Sequence, residues 1–513
     1  MSVSIINDFN KLIADRMTRF QFLIAKAGFE SKPYQTEGVK WCIENELRPN
    51  PPGNVRGGFI ADEMGLGKTI TMIGVMFANY LKRTLIVVPP PLIQQWINEI
   101  HRTTGHRCLM YYGTQKTTIS VDILEKSPIV ITSYNALLSD KCPLKSITWS
   151  RVIFDEAHHL RNENTKRYRS SKKINARVRW LVSGTPIQNS KKDFVNLCCA
   201  AGIPSSLYLD PLNLDTIRKH FILRRTKQQV GIEIPNVNQY VCTVEWQSDA
   251  EREFSEEIHS LLRNQTMVSS KKRKMYAESL GRGGTLIAML RARQSCIMPK
   301  LMSKSLKKLI KRQVIGPEYA LALKNTSKLC AVVDLMLSRK QNGKGKIVFC
   351  HFQNEIDFIA CKLREGGMEK VVTYDGRNSG GQNLATLAEP ADALVIQIQT
   401  GCEGLNLQKH FSEVYFVSPN WNPYIEDQAV ARCHRIGQVN ETDVFRFQMS
   451  GFEYYDNGDG IIVKPRTLES YIERVQKVKR EIGSKILDGT TEQDGLALVP
   501  ASFIRTNQLL IEE

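Results

Sequence analysis

Two glycines and a lysine set between an apolar run and a helical pattern constrain this chain more than any other feature. Gly58-Phe59-Ile60-Ala61 leads into Asp62-Glu63-Met64-Gly65-Leu66-Gly67-Lys68-Thr69, and apolar residues at helical spacing continue from Ile70. A strand, a glycine turn and a helix in that order make a phosphate cradle. Gly65 and Gly67 let backbone amides turn inward around a β and a γ phosphate, Lys68 neutralises their charge, and the Thr69 hydroxyl is a Mg²⁺ ligand. The candidate binding set is Asp62, Glu63, Met64, Gly65, Leu66, Gly67, Lys68 and Thr69, with ATP and Mg²⁺ as the ligands. The loop departs from the strict phosphate-loop pattern at Asp62, where a glycine is usual.

A distant segment fits the same chemistry. Val152-Ile153-Phe154 runs into Asp155-Glu156-Ala157-His158, which reads as a buried parallel strand ending at the carboxyl edge of a sheet, where α/β ligands sit. Asp155 can then share the Mg²⁺ with Thr69, and Glu156 can orient and deprotonate a water. Taken alone, an Asp-Glu pair after a strand is as compatible with a solvated helix start. The phosphate loop favours the catalytic reading, with Lys68, Asp155 and Glu156 as candidate catalytic residues.

The chain's 513 residues suffice for two or three domains, and 42% hydrophobic content is ordinary for a soluble protein. No apolar run approaches the ~20 residues of a membrane span, and the N-terminus lacks a basic region ahead of a long apolar stretch, so no membrane and an intracellular setting are expected. The 12 cysteines include no C-x-x-C pair, and only Cys198-Cys199 are adjacent, which argues against a zinc module and a disulfide framework. A net charge of +18 attracts polyanions, nucleic acid first. The excess gathers partly in Lys172-Lys173, in Lys271-Lys272-Arg273-Lys274, and in Lys300, Lys304, Lys307, Lys308, Lys311 and Arg312. Each run taken singly is also compatible with a solvated face.

The expected fold class is α/β: two parallel-sheet lobes with a helical, basic insertion between them and a C-terminal helix. Leu85–Val88, Ile129–Ile131, Val152–Phe154 and Trp180–Val182 read as strands of the first lobe; Ile347–Cys350, Val371–Tyr374, Ala393–Ile398 and Val414–Val417 read as strands of the second. The expected boundaries are a leader over 1–30, a first lobe over 31–226, a helical basic insertion over 227–343, a second lobe over 344–481 and a tail over 482–513. Leu468 to Val478 has helical spacing of its apolar residues. Within the second lobe, Gln428, Arg432 and Arg435 fall at intervals of four and three. If that segment is helical they share one face, which suits two guanidiniums to a phosphoryl group.

On these segments the chain resembles the superfamily 2 nucleic-acid-dependent ATPases of the Swi/Snf type, and among them is similar to the Lodestar and transcription-termination-factor branch. Further matching segments are Pro33-Tyr34-Gln35-Thr36-Glu37-Gly38-Val39, Ser183-Gly184-Thr185-Pro186-Ile187-Gln188-Asn189, Leu223-Arg224-Arg225-Thr226-Lys227, Thr400-Gly401-Cys402-Glu403-Gly404-Leu405-Asn406-Leu407, Trp421-Asn422-Pro423 and His434-Arg435-Ile436-Gly437-Gln438. The resemblance implies two RecA-like lobes with ATP between them, Gln35 reading the adenine edge, Ser183 to Thr185 coupling hydrolysis to lobe movement, Thr400 and Gly401 near a DNA backbone, Gly404 to Asn406 helping to close the cleft, and Arg432 and Arg435 as arginine fingers. Gln35 and Gln428 then join the binding set. It further implies a monomeric motor on double-stranded DNA, in the nucleus or another DNA compartment of a cell or virus, acting on DNA-bound protein. Pro91 stands where the pattern tends to have a serine, and Ala431 replaces the acidic residue that commonly precedes the first finger. The alternative is a strand-separating helicase or an RNA-directed remodeler, because the DEAH letters are shared with that group.

Overall fold

The computed structural model describes residues 3–263, 284–313, 315–377, 389–401, 405–452, 455–456, 462–463 and 466–489. The Lys271 to Lys274 run and Cys402 to Gly404 lie outside the described residues. The chain forms two compact units: one runs to Glu233 and takes in the end of the last helix from Lys479, and the other covers Ile234–Val478.

The first unit is built on a seven-stranded sheet ordered β3-β4-β2-β5-β6-β1-β7. Its strands are β1 (Gly57–Ile60), β2 (Thr84–Val88), β3 (Leu109–Tyr111), β4 (Ile129–Ser133), β5 (Thr148–Asp155), β6 (Asn175–Val182) and β7 (Ile222–Leu223). Every pairing is parallel. All five residues of β2 are buried, which is why its sequence is an unbroken apolar run rather than an alternation. Leu85 and Val87 join one core and Ile86 and Val88 the other, so the strand's two-residue period feeds both faces. The expected leader is a helix, Val3–Lys26, whose Ile13, Phe20 and Ile24 are buried in the second of these cores.

The helix Pro33–Leu47, which carries Gln35, is pinned to this sheet at its far end. Glu46 is buried and accepts from Arg151 Nε (2.6 Å), Trp180 Nε1 (2.8 Å) and Asn79 Nδ2 (2.7 Å). Removing one of these donors would leave a buried polar group without its partner.

The second unit holds a six-stranded parallel sheet ordered β10-β11-β9-β12-β13-β8. Its strands are β8 (Val237–Val244), β9 (Gly345–Cys350), β10 (Val371–Tyr374), β11 (Ala393–Gln397), β12 (Phe411–Phe416) and β13 (Thr442–Met449). β8 falls in the stretch read as a helical insertion and pairs with β13 from Val237 to Val244. The helices Asp249–Arg263, Gly284–Ile297 and Ser303–Lys311 also belong to this unit, where Phe254, Ile258, Ala292, Leu306 and Leu309 share a core with Leu468, Tyr471 and Ile472 of the helix Leu468–Leu487. In the first unit, Ile486 of that same helix is buried in the core.

Candidate nucleotide site and its surroundings

In the first unit β1 ends at Ile60 and the loop turns through Gly65 (φ 92°) and Gly67 (φ 78°) into the helix Lys68–Ala78. Both glycines occupy left-handed backbone that a side chain would strain, and Gly67 is the residue that caps the helix. The helix therefore presents its free N–H groups and the positive end of its dipole to the loop. Lys68 Nζ donates to the carbonyls of Asp62 (2.9 Å) and Glu63 (3.2 Å). Burial lowers the Lys68 pKa, while Glu156, Asp62 and Asp155 pull it back up. Thr69 is the second residue of the helix and partly buried; Leu66 is buried, and Met64 faces Gly184, where an added Cβ would stand 2.9 Å from Met64 Cγ and 3.1 Å from Lys68 Nζ. Gln35 Nε2 lies 3.5 Å from the carbonyl of Leu66.

The carboxyl end of β5 delivers the two acids. Asp155 is buried; its Oδ2 accepts from Trp96 Nε1 (2.7 Å) and its Oδ1 from the Glu156 amide (2.9 Å). Burial pushes its pKa up to about 6, helped by the neighbouring Glu156 charge and opposed by Trp96. Glu156 sits at φ 48°, a strained conformation for a non-glycine residue. Its Oε2 lies 3.2 Å from His158 Nδ1, which is 3.4 Å from Ser183 Oγ, so the acid pair is chained to the Ser183-Gly184-Thr185 turn. The unit thus brings Gln35, Lys68, Asp155, Glu156 and the Ser183 turn into one hydrogen-bonded neighbourhood.

The second unit places its candidates differently from the expectation. The helix carrying Gln428 spans Pro423–Val430 and stops there, so Arg432 and Arg435 lie in the turns that follow and do not share a helical face with Gln428. Past Val430 the backbone tightens into three-residue turns, Arg432 N bonding to Ala429 O (3.1 Å) and Cys433 N to Val430 O (3.0 Å). The turns are then tied to other chain segments: the Arg432 carbonyl accepts from the Leu407 amide (3.1 Å) and the Cys433 carbonyl from Gln438 Nε2 (3.2 Å). Gln428 is buried, and Arg435 Nη1 donates to Asn406 Oδ1. Burial, then the nearby Arg432, lowers the Arg435 pKa. Thr400 and Gly401 end the short helix Ile398–Gly401.

Four residues with no role assigned from sequence belong to the first neighbourhood: Trp96 and His158 hold the acid pair, and Arg225 and Lys227 hold the loop, Arg225 through Asp62 (2.5 Å) and Lys227 through Glu63 (3.3 Å). The available signal was charge reciprocity, two cations after a strand matching two acids after another. Of the basic runs, Lys173 pairs with Asp140 at 3.1 Å, whereas Lys300, Lys304, Lys307, Lys308 and Lys311 are exposed along and beside the helix Ser303–Lys311. Among the described residues no group of three or more His, Cys, Asp and Glu gathers as a metal site, and no helix is long and apolar enough to cross a membrane.

Comparison with known families places two domains on the chain: an SNF2-related domain over 34–202 and a helicase conserved C-terminal domain over 327–437. Human chromodomain-helicase-DNA-binding protein 7 is 26% identical over 81% of this chain and 15% of its own length. An uncharacterized ATP-dependent helicase of Mycoplasma pneumoniae is 28% identical over 88% of this chain and 42% of its own. The chain therefore spans less than half the length of either relative. A solved Sulfolobus solfataricus SWI2/SNF2 ATPase core in complex with dsDNA aligns over 94% of this chain and 97% of its own at 22% identity, with a TM-score of 0.38. The chain thus carries an SNF2-related domain and a helicase conserved C-terminal domain in series, the pairing of an SNF2-type helicase core.

Proposed function

We propose that this chain is a double-stranded DNA-dependent ATPase that hydrolyses ATP to move along duplex DNA and displace bound protein or remodel the DNA, in whichever compartment holds that DNA. The observation that carries the reading is Lys68 at the mouth of a glycine cradle, its ammonium held by the Asp62 and Glu63 backbone carbonyls of the loop, with Asp155 and Glu156 close enough to influence its charge. A phosphate entering the cradle replaces those carbonyls with full negative charge, a stronger partner for the ammonium.

The residues present fit Mg²⁺-ATP. Each Asp155 oxygen accepts one hydrogen bond and retains a lone pair, and Thr69 and Asp155 are the two groups that would hold Mg²⁺, which when bound supplies charge neutralisation at the phosphoryl group. Gln35 offers one donor and one acceptor to the adenine edge. Glu156 takes the proton of the attacking water, and His158 holds the carboxylate in place. Arg432 and Arg435 are assigned the guanidinium contacts to the transferring phosphoryl group. The exposed lysines around Ser303–Lys311 suit phosphate backbone, which gives sequence-independent, salt-sensitive binding. Placement in the Lodestar and transcription-termination-factor branch, and action as a monomer, rest on the motif letters.

The deciding experiment measures ATPase activity without polymer and with duplex DNA, single-stranded DNA and RNA. Stimulation by duplex, with ATP-dependent displacement of a triplex third strand and the duplex left paired, is the expected outcome. Stimulation by single strands or RNA, with opening of a forked duplex, would replace this reading with the strand-separating alternative.

A further inference from the structure

The segment Leu223-Arg224-Arg225-Thr226-Lys227 leaves β7 and threads along the phosphate loop as though it were a further strand. Ala61 N donates to Leu223 O (2.8 Å), Glu63 N to Arg225 O (2.9 Å), and Lys227 N to Glu63 Oε2 (2.8 Å). Arg224 Nη1 donates to the carbonyl of Ala61 at 2.9 Å. The central contact is the Arg225 guanidinium. Its Nη2 and Nε reach the two oxygens of Asp62 at 2.5 and 3.1 Å, and its Nη1 donates to the carbonyl of Tyr34. Asp62 is 1% exposed and Arg225 partly buried, and the pair is bidentate. The guanidinium also fills the space beside Gly38, where an added Cβ would stand 2.7 Å from Nη2.

One planar group thereby joins two halves of a site. Tyr34 immediately precedes Gln35, and the Gln35 amide nitrogen lies so near the loop that a Cβ on Gly67 would be 2.5 Å from it. Asp62, the residue that departs from the strict loop pattern, aims its charge at Arg225, which neutralises it within the loop.

We propose that Arg225 is a positioning residue that fixes Gln35 relative to the phosphate loop and thereby selects adenine over guanine nucleotides; this rests on the nucleotide reading given above. A base whose edge matches the Gln35 amide forms both hydrogen bonds only when the phosphates are seated at the right distance, and a mismatched edge leaves buried polar groups unpaired. Lysine cannot substitute, because a single ammonium keeps the charge opposite Asp62 but loses the fork that serves Asp62 and Tyr34 together.

The test titrates the full chain with ribose-labelled N-methylanthraniloyl ATP and GTP plus Mg²⁺, for wild type, Gln35→Ala, Arg225→Lys and the double variant. Arg225→Lys retains a charge for Asp62, and thermal melting establishes that it folds. Expected is a loss of ATP affinity of about tenfold with GTP affinity changed less than about twofold, matching Gln35→Ala, and no additional loss in the double variant. The inference is overturned if Arg225→Lys keeps the wild-type preference, weakens both nucleotides equally, or multiplies its penalty with that of Gln35→Ala. It also falls if Gln35→Ala leaves the preference intact. A wild-type protein that binds neither nucleotide removes the nucleotide reading itself; normal binding by Arg225→Lys beside a defective Gln35→Ala removes only the inference.

Discussion

Lys68 Nζ donates to the backbone carbonyl of Asp62 at 2.9 Å, the residue six positions before it in the same loop. The loop is thus closed on its own lysine, and the ammonium is directed inward by acceptors that survive any side-chain change nearby. Lys68→Ala should leave the glycine turn and the fold intact while abolishing hydrolysis, because the phosphates lose their main cationic partner. Substantial DNA-stimulated ATPase in the folded variant would contradict the assigned loop.

Gly184 meets the same ammonium from the other side. An added Cβ would stand 3.1 Å from Lys68 Nζ and 2.9 Å from Met64 Cγ, so either the lysine or the loop must shift. Gly184→Ala should lower turnover by roughly 10- to 100-fold, since a displacement of about 1 Å at a reacting group costs that much. Steady-state ATPase rates check this, with melting temperature as the control for folding.

Glu156→Gln should separate binding from chemistry. The amide can still meet His158, 3.2 Å away in the wild type, and Asp155 is untouched. Nucleotide binding should persist while turnover falls, leaving an ATP-bound complex. Filter retention of radiolabelled ATP together with phosphate release would show it; wild-type release would remove Glu156 from its role.

The parallel sheets were legible because their central strands are buried on both faces, and a doubly buried strand such as β2 cannot hide its apolar run. β8 was not legible. Its residues Gln239, Tyr240 and Val241 are exposed at the sheet edge, so Val237–Val244 reads as mixed and polar, and only its pairing with β13 makes it a strand. The glycine turn before Lys68 and the acids at the end of β5 were likewise readable, since each is a local pattern. The contacts of Arg225 with Asp62 were not, because 163 positions separate the partners. The end of the helix at Val430 was hidden as well: the chain tightens there into turns anchored by the distant Leu407 amide, a contact no local pattern of residues announces.

Two groups in the second unit, the buried Glu355 and the partly buried His351, should give opposing pH responses. His351 Nε2 lies 2.5 Å from Arg293 Nη2, and burial, then the Arg293 charge, holds the imidazole well below its usual pKa. Glu355 accepts from the amides of His351 (3.2 Å) and Phe352 (3.0 Å), yet burial pushes its carboxyl up to about 7, with Arg293 and Lys328 opposing. The depressed His351 contributes stability that is full above its unfolded pKa near 6.5 and is lost as pH falls below it. The raised Glu355 acts in the opposite sense, its contribution being full below about 4.5 and lost as pH rises toward 7. Between pH 5 and 7, Glu355→Gln should therefore melt lower as pH falls, His351→Gln should melt lower as pH rises, and the wild type should be flatter than both. Parallel curves for all three would remove the assignment.

Arg435 is tied to Asn406, and the Arg432 carbonyl to the neighbouring Leu407 amide. Both arginines are thus carried on turns tied to the loop segment Asn406-Leu407, rather than on a helix face. Arg432→Ala and Arg435→Ala should each reduce turnover strongly with little loss of ATP affinity, because such groups act on the transition state more than on bound substrate. Asn406→Ala should reproduce part of the Arg435→Ala defect by freeing the guanidinium, and adding it to Arg435→Ala should cost little more, since the two side chains share one interaction. Rates measured with saturating duplex DNA decide the point: normal hydrolysis in both arginine variants would withdraw the finger assignment, and full additivity of Asn406→Ala with Arg435→Ala would withdraw the orienting contact.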